Sequence, residues 1–327
     1  VLFRHGRIRR FDFSIAVLLS AGLIFIAAVP GSVSLLRDVL FLEREQFSRL
    51  IAILIVSNLG LWLLLLYTRL RGSNQALHFD QLVRHLGATE FRRRYPEIEN
   101  LPPVVVVIPA YEEENNIAAI VENAPQQVCG LGLTLLVVDD GSRDATLRVA
   151  AEAGALVASN AINRGGGAAL RLGFDIASEL GAEIVVTMDA DGQHIPAEMD
   201  RLVEPIVSGD FDIVIGSRIL GEAESRRSVR YLGIHVFNWV IRLLTAVKIT
   251  DCSNGYRAFR VKTLRTLVLR QDQFHTSELI IEAAKKKIAI GEAPVTVAKR
   301  SSGESKKGRN WLYGLSFART ILKTWWR

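Results

Sequence analysis

The chain has 327 residues, 49% of them hydrophobic, and a formal net charge of +6; that length accommodates one catalytic domain of about 100–200 residues and an additional segment. Its two cysteines, Cys129 and Cys252, are too few for a disulfide framework and are not spaced as a zinc site. The basic residues gather at the two ends and after the second apolar run, with no stripe interleaved with aromatics, so no nucleic-acid partner is expected and anionic lipid is the better match.

Residues 13–30 (FSIAVLLSAGLIFIAAVP) and 50–68 (LIAILIVSNLGLWLLLLYT) carry no charge, and each approaches the ~20 residues that cross ~30 Å of hydrocarbon as a helix. A transmembrane hairpin is predicted. Arg4, Arg7, Arg9 and Arg10 precede the first run and Arg69 and Arg71 follow the second, whereas the loop between them mixes Arg37, Arg44 and Arg49 with Asp38, Glu43 and Glu45. Positive charge stays inside, so both termini and the whole chain after residue 70 are expected on the cytoplasmic side. Ser57 and Gly60 offer small surfaces between spans, and a homo-oligomer is one expectation.

Residues 72–102 read as a polar, partly helical connector ending in Leu101-Pro102-Pro103, after which short β-rich runs alternate with helical stretches. Strands are predicted near 104–109, 133–139, 155–159, 183–189 and 211–216, with helices near 115–124, 143–153, 167–180 and 196–208. This is an α/β pattern, and most neighbouring strands are expected to be parallel. The domain plan is a membrane hairpin over 1–71, the connector over 72–102, a catalytic domain over 103–307 and an amphipathic helix over 308–327. In that last stretch Leu312, Leu315, Ile321 and Leu322 are read as one apolar face, with Trp311, Trp325, Trp326 and basic residues around it, as suits a helix lying in a membrane interface.

Ligands of such sheets bind at the carboxyl ends of strands, and three predicted strands end in polar residues. One runs into Pro109-Ala110-Tyr111-Glu112-Glu113, one into Asp139-Asp140-Gly141-Ser142 and one into Asp189-Ala190-Asp191-Gly192-Gln193. Asp189 and Asp191 flank one residue, so both carboxylates can face one divalent cation, with Gln193 adding an oxygen. Magnesium takes one or two carboxylates together with substrate phosphates and water, which suits a nucleotide diphosphate. Asp139 and Asp140 stand where a base and ribose would be recognised, or form a turn with Ser142 capping the next helix. Asn163-Arg164-Gly165-Gly166-Gly167 precedes a helix, and its consecutive glycines permit close backbone approach to a ligand as well as unusual dihedrals. It lacks both the phosphate-loop ending and the dinucleotide fingerprint, which disfavours an NTPase or a dehydrogenase.

Taken in order, VIPAYEEENNI (107–117), VVDDGSRDAT (137–146), NRGGGAALRLGF (163–174), MDADGQH (188–194), GSR (216–218), DCSNGYRAFR (251–260) and KRSSGESK (299–306) resemble the motifs of family 2 glycosyltransferases of the dolichol-phosphate mannosyltransferase and polyprenyl-phosphate glycosyltransferase type. The resemblance covers about residues 103–307. It implies a GT-A fold, Rossmann-like with a mostly parallel sheet. It also implies an enzyme that transfers a hexose, mannose or glucose, from a nucleotide sugar of the GDP-mannose or UDP-glucose class to a polyprenyl phosphate, with Mg2+ or Mn2+. By motif position, Pro109, Tyr111, Glu113, Val138 and Asp140 would hold the nucleoside, and Asp189, Ala190, Asp191 and Gln193 the metal and diphosphate. Arg218, Arg230, Arg300 and Lys306 would clamp phosphates. Two features depart from the family pattern: Glu112 stands where Asn is common, and the apolar runs precede the catalytic domain. Asp251 is a candidate catalytic group, but a phosphate acceptor is already a nucleophile, its second ionisation lying at about pH 6. Asp251 is equally read as positioning the acceptor or Arg257, or as forming the turn before Ser253-Asn254-Gly255. The alternatives are another glycan or glycolipid acceptor, and an inactive nucleotide-sugar-binding subunit.

Overall fold

The computed structural model describes residue 29 and residues 48–223, 229–273, 275–299 and 310–326. They fall into two compact units, Val1–His78 and Phe79–Arg327.

Helix α1 is a single element, Ser48–Arg94. The first predicted span, 13–30, lies outside the described residues apart from Val29. The second, 50–68, lies within α1, which runs without a break through the boundary expected at 71/72 and through most of the predicted connector. No Pro interrupts the segment before Pro96, and the connector's charged residues sit at helix-compatible spacing, as in the Asp80–Arg84 pair. Among the described residues no helix is long and apolar enough to cross a membrane. Within the first unit Leu54, Leu59, Trp62, Leu63 and Leu66 of α1 are each more than half exposed.

In the second unit eight strands form one sheet: β1 (Val104–Ala110), β2 (Gln127–Val128), β3 (Leu131–Asp139), β4 (Leu156–Ser159), β5 (Ile184–Thr187), β6 (Ile213–Ala223), β7 (Arg257–Arg260) and β8 (Ile290–Val297). Their order is β2-β3-β1-β5-β7-β6-β8, with β4 also on β3. The continuous apolar run of β1 is buried from both sides, as parallel central strands are. Val104, Val106 and Ile108 face one core, which includes Met199, Leu202 and Ile206 of helix α5 (Met199–Val207). Val105 and Val107 face the other, with Leu172 and Ile176 of helix α4 (Gly166–Glu179). The two-residue side-chain period of a strand divides them. Each of these side chains, fully buried, contributes about 1.5–3 kcal/mol. On α4, Gly173 permits the close helix–sheet approach, since a Cβ there would lie 2.3 Å from Val107 Cγ1 and 3.2 Å from Val138 Cγ2.

The five predicted strands are all present, four of them close to their predicted bounds, whereas β6 runs past the predicted end at 216 to Ala223 and so takes in Arg218; β2, β7 and β8 were not anticipated. The sheet is mixed. Pairs β1–β3, β1–β5, β3–β4 and β6–β8 are parallel, but β7 runs antiparallel to both β5 and β6, and β2 antiparallel to β3. The inversion of β7 has a functional consequence. Its first residue, Arg257, is in register with Thr187, the last residue of β5, so the turn 251–256 is delivered to the carboxyl end of β5.

Helices α2 (Ile117–Glu122), α3 (Thr146–Glu152), α6 (Val229–Thr245), α7 (Val261–Leu264), α8 (His275–Lys285) and α9 (Asn310–Trp326) complete the unit. Helix α9 packs on α8 and α6. Ile321 and Thr324 are fully buried, whereas Leu322 is 60% and Trp326 91% exposed. The single apolar face predicted for Ile321 and Leu322 is therefore two faces, because consecutive helical residues stand ~100° apart. Lys285 Nζ donates to Thr324 O at 2.7 Å and holds the last turn down.

Candidate active site

The site begins where β5 ends. Asp191 is 8% exposed and Asp189 is partly exposed. The turn between β5 and the 3-10 segment Pro196–Glu198 is fixed by short contacts. Gln193 N–H donates to Asp191 Oδ1 at 3.1 Å, and Gln193 Nε2 donates to Ala298 O at 2.9 Å. That leaves its side-chain oxygen as the atom Gln193 can offer a cation. Buried His194 accepts the Asp189 N–H at Nδ1, 3.2 Å away, and its Nε2 faces Asn254 Oδ1 at 2.9 Å. A ring nitrogen that accepts leaves the other to carry the proton, so Nε2–H donates to Asn254. Asn254 Nδ2 in turn donates to Gly216 O at 2.7 Å. His194 also stacks on Tyr256, ring centroids 5.0 Å apart.

Opposite this turn the β6–β7 segment closes against Asp189. A Cβ on Gly255 would lie 2.6 Å from Asp189 Oδ1 and 2.9 Å from Oδ2, so the carboxylate occupies space that only glycine leaves. Thr187 Oγ1 donates to Gly255 O at 2.6 Å and fixes the contact. Beneath it lies Arg257, 2% exposed, which donates to Asn254 O, Thr276 O and Cys252 O at 2.7–2.8 Å. Burial brings its guanidinium down to about 10, against the pull of nearby acidic groups including Asp251 and Asp189.

Asp251 is completely buried. Its Oδ2 accepts from Arg218 Nε at 2.6 Å, and its Oδ1 from Ser253 N at 3.3 Å and Ser253 Oγ at 3.1 Å. The sequence left Asp251 between base, acceptor positioner, Arg257 partner and turn former. The structure gives it a turn contact and pairs it with Arg218, while Arg257 is bound by carbonyls. Glu292 of β8 supports the same turn by accepting from Thr250 N at 2.9 Å and Asp251 N at 3.1 Å. Burial pushes its carboxyl above the ordinary range, with those N–H donors opposing.

The ends of β1 and β3 form a second wall. Glu112 N–H donates to Ser142 Oγ and Glu113 N–H to Thr146 Oγ1, both at 2.8 Å. Ser142 thus joins two loops and is not the predicted helix cap; α3 starts later, and Asp144 accepts the Thr146 N–H at 3.1 Å. Glu112 has φ 51°, left-handed for a non-glycine residue. Burial and the Glu112 carboxylate push the Tyr111 phenol up, against the Arg143 charge and the Asn163 side chain. Asp140 is 2% exposed: Oδ1 accepts from Asn160 Nδ2 at 2.9 Å, and Oδ2 from the N–H groups of Arg164, at 2.9 Å, and Gly165. Burial raises the carboxyls of Asp139 and Asp140, their hydrogen-bond donors opposing.

The glycine run combines an unusual dihedral, φ 103° at Gly165, with close backbone approach. A Cβ on Gly167 would lie 2.2 Å from Gln271 O, and one on Gly165 2.8 Å from Asp272 O. Gly167 N–H donates to Asp272 O at 2.8 Å. The close approach of Gly165 and Gly167 is made to the chain's own 271–272 segment, which sits on the start of α4.

The structure thus gathers Asp189, Ala190, Asp191, Gln193, Arg218 and Asp251 around the end of β5 and the middle of β6, and Pro109, Tyr111, Glu113 and Asp140 around the ends of β1 and β3. Val138 is fully buried, with its side chain in the core against α4, so only its main chain can face a nucleoside. The Arg230 side chain, Arg300 and Lys306 lie outside the described residues. His194, Asn254 and Gly255 went unrecognised, although MDADGQH and DCSNGYR contain them. Among the described residues no three His, Cys, Asp or Glu side chains cluster as a metal site. Two carboxylates and an amide oxygen are a hard-oxygen partial set, suited to a cation that takes its remaining ligands from substrate phosphate and water. Gly255 keeps room for one of those carboxylates.

A mixed α/β sheet with paired carboxylates at the end of its central strand gives the chain a GT-A-like fold. It resembles solved structures of glucosyl-3-phosphoglycerate synthase from Mycobacterium tuberculosis. One, in complex with Mn2+, UDP and glucosyl-3-phosphoglycerate, gives a TM-score of 0.52 at 22% identity, covering 72% of this chain and 82% of that one. The chain belongs to glycosyl transferase family 2, whose profile matches residues 105–268. Two relatives are 33% identical over 217 residues. One is a UDP-N-acetylglucosamine–dolichyl-phosphate N-acetylglucosaminyltransferase of Methanococcus voltae, with 59% of this chain and 84% of the relative covered. The other is a polyprenol monophosphomannose synthase of Mycolicibacterium smegmatis, with 62% and 80% covered.

Proposed function

We propose that this chain transfers a hexose from a nucleotide diphosphate sugar to a polyprenyl phosphate, with inversion at the anomeric carbon, at the cytoplasmic face of a membrane. The observation that carries the reading is the Asp189–Asp191 pair, buttressed by His194, Asn254 and Gly255 at the end of β5. The names of the relatives favour a polyprenyl phosphate acceptor. Asp189 and Asp191, with the Gln193 oxygen, would hold Mg2+ or Mn2+, which when bound supplies Lewis-acid neutralisation of the departing diphosphate. Pro109, Tyr111, Glu113 and the loop braced by Asp140 form the nucleoside wall. Arg218, oriented by Asp251, faces phosphate oxygens, and Arg230, Arg300 and Lys306 are assigned the same partner.

The acceptor phosphate attacks without a protein base, because a phosphate monoester has lost its second proton by about pH 6. A buried Asp251 already accepting from Arg218 and Ser253 is consistent with that. Membrane contact is favoured by the basic flanks of the two apolar runs and by exposed side chains of α1, such as Trp62 and Leu66. In this reading the N-terminal runs anchor the chain as a hairpin. The test is transfer by detergent-solubilised protein to polyprenyl phosphate, with Mn2+ or Mg2+, across labelled GDP- and UDP-sugars. Lipid-extractable label from one donor is expected; nucleotide binding without any lipid label would move the acceptor to another glycan or glycolipid.

A further inference from the structure

Asp80, on α1, precedes the segment that matches the family, and Asp272 follows it. Both carboxylates nevertheless converge on two arginines inside that segment. Asp80 Oδ1 accepts from Arg164 Nη2 at 2.6 Å and from Arg171 Nη2 at 2.8 Å, and its Oδ2 accepts from Arg84 Nε at 2.9 Å. Asp272 Oδ1 accepts from the same Arg164 and Arg171 nitrogens. The arginine side chains are only 9% and 5% exposed. Two guanidinium groups sharing one oxygen repel each other, and this far from water they depend on both carboxylates.

The main chain of Arg164 leads directly to the nucleoside wall. The N–H groups of Arg164 and Gly165 donate to Asp140. The side chain of the preceding residue, Asn163, acts on the Tyr111 phenol, drawing it down against burial and Glu112. The Asn163 backbone nitrogen is also packed so closely on Gly141 that a Cβ there would lie 2.8 Å away. Loop 162–165 is therefore clamped between Asp140 on one side and the Arg164 side chain on the other, and that side chain is held by Asp80.

We propose that Asp80 is a positioning residue for nucleotide-sugar binding, acting through Arg164 on loop 162–165, so that the helix preceding the family segment is a working part of the donor site. The proposal rests on the donor reading of the site given above. Without the Asp80 charge, Arg164 and Arg171 are left sharing Asp272. Arg164, at the edge of the network, swings away and takes with it the loop that braces Asp140. A displacement approaching ~1 Å costs up to ~100-fold in interactions that need exact placement, and a rise of about tenfold in nucleotide Kd is expected here.

The experiment is calorimetric titration of UDP and GDP, with Mn2+, into the full chain as wild type, Asp80→Asn, Asp80→Glu, Asn163→Ala and the double variant Asp80→Asn/Asn163→Ala, with Tm recorded for each. Expected are a Kd about tenfold higher for Asp80→Asn, partial recovery for Asp80→Glu, and less-than-additive losses in the double variant, because both changes act on one loop. An unchanged Kd in folded Asp80→Asn, with or without a lower Tm, overturns the proposal by making Asp80 structural only. If Asp80→Asn fails to fold, Asp80→Glu and Arg164→Lys decide: wild-type Kd in both overturns it, and weakened binding that tracks the geometry supports it. Wild-type binding is read first. Its absence refutes the donor reading itself, whereas normal wild-type binding with an unaffected variant refutes only the role of Asp80.

Discussion

Replacing Gly255 with Ala puts a methyl group into the space that holds the Asp189 carboxylate. Contacts between carbon and carboxylate oxygen settle at about 3.3–3.6 Å, but the new Cβ would start 2.6 Å from Oδ1 and 2.9 Å from Oδ2. The carboxylate must retreat by about 0.7–1.0 Å at Oδ1 and about 0.4–0.7 Å at Oδ2, because Gly255 is tied to Thr187 and its neighbour Asn254 to His194. The φ of Gly255 lies outside the left-handed region, so alanine brings no backbone strain. Asp189 is partly exposed and moves toward solvent, so the cost to folding is small, a Tm change of a few degrees at most. Catalytic geometry is less forgiving. With ~100-fold lost per ~1 Å of misplacement, kcat/KM should fall about 10- to 100-fold, or about 1.4–2.8 kcal/mol of transition-state stabilisation. The assay is sugar transfer as a function of Mn2+ concentration, paired with direct Mn2+ binding followed by electron paramagnetic resonance. Both the metal activation constant and the Mn2+ affinity should worsen. Unchanged Mn2+ affinity and kcat/KM in a folded Gly255→Ala protein would refute the placement of Asp189 as a metal ligand.

Asp191→Ala is expected to leave a folded protein with almost no transfer at saturating Mn2+; near-normal turnover would remove Asp191 from the metal site. Asp251→Ala should lower the unfolding free energy by about 3 kcal/mol, since it strands Arg218 beside a buried turn, as urea unfolding would report; a near-normal stability would contradict the pairing. Glu112→Asn should raise stability by about 0.5–1 kcal/mol, because Asn tolerates the left-handed region that Glu112 occupies at φ 51°, and a lower Tm would count against strain there. Burial opposes ionisation of Asp80, but Arg171, Arg164 and Arg84 outweigh it and hold its carboxyl below 3.8. The stabilisation from this ionisation is present above pH 3.8 and is lost as pH falls through the lower folded value. The Tm gap between wild type and Asp80→Asn should therefore close on acidification, and a gap that widens would reverse the sign of the argument.

The parts of the fold that were legible in the sequence are those governed by neighbours along the chain. The VVVVIPA run and the polar strand ends fix local structure, and the predicted elements before β6 lie close to the observed ones. Strand β7 escaped because RAFR is four residues long and carries a buried Arg257, whose charge hides it from any apolar pattern. Helix α1 was divided at the point where its composition turns from apolar to charged, yet a helix ends on backbone chemistry, not on a change of polarity, and no proline falls between Ser48 and Pro96.

The candidate site divides along the same line. Asp189 and Asp191 announce themselves because their spacing at a strand end is a local property. Gly255, which leaves room for Asp189, is 66 positions away in sequence (255 − 189) and reads on its own as an ordinary turn residue. The glycine run carried the opposite ambiguity. Consecutive glycines state that something approaches the backbone closely, and the sequence does not say what. Here the approaching group is the 271–272 backbone, itself bound to Arg171, which shares Asp80 and Asp272 with Arg164. A motif that looks like a ligand cradle thus serves as an internal joint, and the donor site inherits its geometry from carboxylates on either side of the segment that defines the family. Substitutions at Asp80 or Asp272 should consequently alter nucleotide binding while every residue of the family's own motifs stays intact.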